Sequence, residues 1–151
     1  KIPFGLNSTN QVNIIEALET FEQYLEFEKD HDLVGIKSVS HQLSATCNDP
    51  AREVECFALI DSVYTFGTFL TKDSFTNIEE DQHQTIIYTD GPDRVFLYFT
   101  RNESGELKVL GMRFCKEDEA MEFDCVTTNA NRLDENTNGW WDSVESLFYT
   151  N

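Results

Sequence analysis

The sequence predicts a mainly β, α+β fold: an antiparallel β-barrel or a strongly curved sheet, packed by an N-terminal helix and followed by a short terminal helix. Three observations predict it. Apolar residues keep a helical period near the N-terminus; turn residues then divide the chain into β-branched and aromatic runs; and those runs follow one another at hairpin-like spacings. The chain has 151 residues, 40% hydrophobic and 13% aromatic, with twelve Phe. That is enough apolar material for a folded domain, and no repeat or linker divides 1–151 into two.

The helix comes first. In "NQVNIIEALETFEQYLEFEKD" the apolar residues Ile14, Leu18, Phe21 and Leu25 recur at gaps of four and three. Asn13 and Glu16 have capping-box spacing, and Thr9 or Asn10 also suits the start. Glu16, Glu19, Glu22, Glu26 and Glu28 read as a solvated face. The Phe and Leu side needs an apolar partner, because a helix of this length is marginal alone in water.

From Leu33 the period changes. "LVGIKSVSHQLSATC", "VECFALIDSVYTFGTFLT", "QTIIYTD", "RVFLYFTRN", "ELKVLGMRFC" and "AMEFDCVTT" predict six to eight sequential antiparallel strands. "TDGPDR" and "RNESGE" read as hairpin turns, and the polar "SFTNIEEDQHQ" leaves room for one more short strand. Strand alternation in the second run places Phe57, Leu59, Asp61, Val63 and Thr65 on one face. It places Ala58, Ile60, Ser62, Tyr64 and Phe66 on the other. Closing such a meander into a barrel removes its edges and is the preferred reading. A curved sheet wrapped around the helix is the second.

Charge narrows the function. The formal net charge is −17, from 28 acidic against 11 basic residues. A field of that sign argues against nucleic acid and anionic membrane surfaces as partners, and it favours cations, amines and basic proteins. Solubility alone is the simpler account of the same charge. No apolar run approaches the roughly 20 residues of a membrane helix. The chain opens without Met, as a processed N-terminus would, and shows no signal peptide.

Cys47, Cys56, Cys115 and Cys125 contain no C-x-x-C pair, which argues against zinc knuckles and thioredoxin chemistry. The short loops favour Cys47–Cys56 and Cys115–Cys125 bridges, with crossed pairings left open. Disulfides imply an oxidising compartment. Two glycosylation sequons agree with it: Asn7-Ser8-Thr9, and Asn102-Glu103-Ser104 at a hairpin tip. The expectation is a secreted protein.

The sharpest chemical pattern lies at "LDENTNGWWDSVE". Asp134, Asn136 and Asn138 stand at alternate positions, Gly139 permits a sharp turn, and Trp140 offers its carbonyl. Asp142 and Glu145 follow two and five residues after Trp140. A calcium ion needs six to eight oxygens, and this spacing supplies them. These twelve residues resemble the EF-hand loop, which implies Ca2+ held by Asp134, Asn136, Asn138, Trp140, Asp142 and Glu145. The alternative is a polar turn capping the last helix.

The chain contains no serine-hydrolase elbow, zinc-protease helix, P-loop or dinucleotide glycine pattern. His31 and His83 read as exposed and His41 as a strand residue. Binding is therefore expected over catalysis. Asp61 is the most interesting acid, set in an apolar run. Inside a barrel it would need a partner such as an amine, with Tyr64, Phe66, Tyr88, Phe96 and Tyr98 as aromatic walls. The simpler alternative has Asp61 facing solvent, or pairing with Arg94 or Arg113.

Helix, strand meander, paired Cys and short terminal helix together resemble the lipocalins, especially the salivary amine-binding ones of blood-feeding arthropods. The resemblance implies a secreted carrier that sequesters a small apolar or amine ligand in a β-walled cavity. The second reading is a secreted interaction or immune-modulating protein whose acidic surface binds a basic protein, with calcium as a brace.

Overall fold

A computed structural model describes residues 8–68, 70–117, 123–127 and 131. Four helices come first: α1 (Ser8–Lys29), α2 (Leu33–Ser38), α3 (Ala45–Asn48) and α4 (Glu53–Thr68). Five strands follow: β1 (Phe75–Glu80), β2 (Thr85–Thr89), β3 (Asp93–Arg101), β4 (Leu107–Glu117) and β5 (Phe123–Thr127). They form one antiparallel sheet in the order β1-β2-β3-β4-β5. The α+β class and the N-terminal helix are as expected. The barrel is not: the described sheet is open, with β1 and β5 at its edges.

Two segments read as strands are helical. In α4 the buried residues are Cys56, Ile60, Val63 and Gly67, spaced four, three and four. That is a helix face, and the strand alternation of Phe57, Leu59 and Asp61 was a coincidence of an apolar run too rich to show one period. Glu53 and Glu55 in its first turn suit the positive end of the helix dipole. The other segment, after Leu33, is broken by caps. Asp32 accepts from Gly35 N at 3.0 Å to start α2, and Ser44 accepts from Cys47 N at 3.4 Å to start α3. Between them, Ser40 makes a parallel bridge to Val109 of β4 and Leu43 an antiparallel bridge to Asn131.

Helix α1 begins at Ser8, nearer the Thr9 start than the Asn13 capping box, and Asn13 instead donates to Glu80 Oε1 at 2.6 Å. Its core stripe is Ile14, Ala17, Phe21, Tyr24 and Glu28, with Leu18 and Leu25 on its flank. Glu28 therefore does not belong to the solvated face. It continues the stripe at the next helical interval and is fully buried. Gly35 brings α2 against α1, because a Cβ there would lie 2.2 Å from the Phe27 ring.

The predicted hairpins are present. Gly91 (φ +99°) turns β2 into β3, and Gly105 (φ +82°) turns β3 into β4, positions that favour glycine. The polar connection before Thr85 does hold a strand, β1. Its turn into β2 is held by Asp81 Oδ1, which accepts from His83 N at 2.6 Å and Gln84 N at 2.9 Å. Ile87, Leu97, Phe99, Val109 and Met112 face the helices. A bulge where the register shifts between Tyr98 and Phe99 lets both Val109 and Met112 reach that face. The opposite parity carries Ile86, Phe96, Tyr98 and Arg113, also buried, with the Arg113 guanidinium 5.7 Å from the Tyr98 ring centre.

Candidate functional site

The polar face of α1 borders two adjoining grooves. The first, about 520 Å³, is apolar: Ile14, Ile15, Leu18 and Phe75 line it, with Glu19, Lys72 and Asp73 among its charged residues. The second, about 690 Å³, lies between α1 and α4, where Glu16, Glu19, Glu22 and Glu26 face Tyr64 and Thr68. Glu19 borders both. The two helices approach closely because residue 67 is glycine; a Cβ there would stand 2.4 Å from Leu25 Cδ2.

Two of the four glutamates are neutralised within the fold. Arg101 donates to both oxygens of Glu16 at 3.0 and 3.1 Å, and Lys72 pairs with Glu22 at 2.5 Å. Its hydrogen bonds to the Glu16 carboxylate hold the Arg101 guanidinium above its usual range. Glu19 and Glu26 have no ion-pair partner among the described residues. The groove is thus an apolar recess running into a trough with two uncompensated carboxylates.

A second constellation sits at the far end of α1. His31 takes the left-handed conformation (φ +52°), places its ring 4.3 Å from Phe57, and meets Asp61 Oδ1 through Nε2 at 2.7 Å. Asp61 is exposed on α4, in line with the solvent-facing alternative, and its partner is this histidine in place of an arginine. Beneath it, Glu28 is wholly buried, and neither carboxyl oxygen has a hydrogen-bond partner among the described residues. Burial pushes this carboxyl up to about 9; the neighbouring Tyr24 hydroxyl pulls it down, and the Asp61 charge adds to the rise. The Tyr24 hydroxyl donates to Asn131 Oδ1 at 2.5 Å, and burial outweighs its effect on Glu28. Burial, then the Glu28 charge, hold Tyr24 itself well above the ordinary phenol value.

Of the aromatic residues singled out, Tyr64 and Phe66 are on α4, not on a strand. Tyr64 lines the acidic trough. Tyr88 and Tyr98 flank Phe96, with ring centres 5.0 and 6.4 Å from it, on the sheet face away from the helical core. Burial, then the Glu79 charge, raise the Tyr88 phenol. Asp61 and these two tyrosines therefore occupy different elements and do not form one aromatic box. The calcium pattern (Asp134, Asn136, Asn138, Trp140, Asp142, Glu145) and Asn7 lie outside the described residues. Among those described, no cluster of three metal-ligating side chains occurs.

Cys47 and Cys56 are bridged, with Cα atoms 4.8 Å apart, as the short loop suggested. Cys115 is disulfide-bonded and stands opposite Cys125 in the β4–β5 register. Sequence reasoning missed Glu28 and the His31–Asp61 pair. The signal for Glu28 was available, since it falls four residues after Tyr24 on a stripe begun at Ile14. The signal for His31 was not, because its partner comes from α4.

Fold and groove together define an α+β domain in which helices cover one face of an open antiparallel meander. Set against protein-family models, curated proteins and solved structures, the chain finds no match.

Proposed function

We propose that this is an exported, acidic binding protein whose ligand is a cation with an apolar portion, held in the two-part groove along α1. One observation carries the reading: Glu19 joins an apolar recess to a trough in which it and Glu26 lack ion-pair partners among the described residues. The volumes, about 520 and about 690 Å³, suit small ligands. The groove is walled mainly by helices, so the ligand chemistry expected from the sequence is kept while the β-walled cavity is not. The bridged Cys47 and Cys56 support export to an oxidising compartment.

The division of labour follows from magnitudes. Apolar contact contributes about 25 cal/mol per Å² buried, so the Ile14, Ile15 and Phe75 recess supplies most of the affinity. Each exposed ion pair contributes about 0.2–1 kcal/mol, so Glu19 and Glu26 select charge more than they add strength. Titration calorimetry with phenylpropylammonium, and with the neutral phenylpropanol, tests this. The amine should bind more tightly, and Glu19→Gln with Glu26→Gln should reduce that preference by up to about thirtyfold in total. Equal binding of amine and alcohol would remove the reading.

The net charge of −17 favours a second reading, in which the acidic surface receives a basic protein. Ionic strength separates the two. Protein association through exposed charges should weaken steeply with salt, and the small amine should lose only its modest electrostatic share.

A further inference from the structure

We infer that Asn102 carries an N-linked glycan, an inference that rests on export as proposed above. Asn102, Glu103 and Ser104 form an acceptor sequence, and all three are exposed in the turn between β3 and β4. The structure adds the orientation of the amide. Asn102 Oδ1 is turned inward, accepting from Ser104 N at 3.0 Å and from Glu106 N at 2.9 Å. The nitrogen end is left facing outward, and its one hydrogen bond goes to the exposed Glu106 carboxylate at 3.1 Å, a contact water can replace.

The turn does not depend on the group to be modified. Asn102 N donates to Glu106 O at 2.9 Å, Gly105 N donates to Asn102 O at 2.9 Å, and Arg101 Nη1 donates to Gly105 O at 2.7 Å. Residues 101–106 are all exposed, so a glycan can leave the tip without displacing a buried atom. The donor is a lipid-linked oligosaccharide diphosphate. Nδ2 forms a bond to the anomeric carbon, the bond from that carbon to the diphosphate oxygen breaks, and the electron pair leaves with the lipid diphosphate. Nδ2 gives up one proton to a base of the transferase, and nothing is oxidised or reduced.

The test expresses the full chain behind a cleavable secretion signal in a eukaryotic cell that N-glycosylates, followed by peptide mapping with and without peptide N-glycosidase. Asn102 should be glycosylated and should convert to Asp on enzymatic release. Ser104→Ala removes the acceptor sequence while keeping the backbone donor to Oδ1, so it should fold, secrete and lack this glycan. Secreted protein that is unmodified at Asn102, or modified at Asn7 alone, overturns the inference. Alkylation of free thiols in the same sample keeps the two readings apart. Fully bridged protein with a bare Asn102 defeats the glycan inference and leaves export standing, whereas free thiols count against the export reading itself.

Discussion

Replacing Glu28 with Gln should stabilise this protein at neutral and alkaline pH, and the gain should grow with pH. The native carboxyl titrates at about 9 against 4.5 for the free side chain. Between those values the folded chain holds a proton that the unfolded chain releases, so stability falls as pH rises through the window. Each pH unit costs about 1.4 kcal/mol, which at pH 7.5 accumulates to about 4 kcal/mol. Against a typical total of about 5–15 kcal/mol this is a large single-residue effect. Gln resembles the protonated acid in shape and cannot ionise. Urea denaturation of both proteins from pH 5 to pH 8.5 reads the difference. Near pH 5 the two should be close; by pH 8 the variant should exceed the parent by several kcal/mol. A difference that stays constant over that range would refute the argument, because it would mean that the Glu28 carboxyl does not change its ionisation on folding.

Gly35→Ala should destabilise despite gaining about 1 kcal/mol of helix propensity, because the new Cβ meets the Phe27 ring. A net loss of about 1–2 kcal/mol in urea, relieved when Phe27→Leu is added, is the expected result; independent effects would count against it. The Asp134–Glu145 pattern predicts uptake of one calcium ion per chain at millimolar calcium, read by native mass spectrometry with a rise in melting temperature. No uptake would leave the polar-turn reading in place.

The sequence by itself determined the α+β class, the N-terminal helix and the glycine hairpins, and it favoured the Cys47–Cys56 bridge over crossed pairings that only the structure removed. Each depends on neighbours in the chain: a period of 3.6 in α1, glycines at positive φ, and a short loop between two cysteines. It also placed the acidic residues along α1. Tertiary structure decided what local pattern left ambiguous. "VECFALIDSVYTFGT" suits a strand or a buried helix equally well by composition, and its packing against α1, permitted by Gly67, selected the helix. The same packing formed the acidic trough, brought Asp61 to His31 and made Glu28 a core residue. A carboxylate's environment is set by what folds over it, and periodicity along one helix does not reveal which face its neighbours cover.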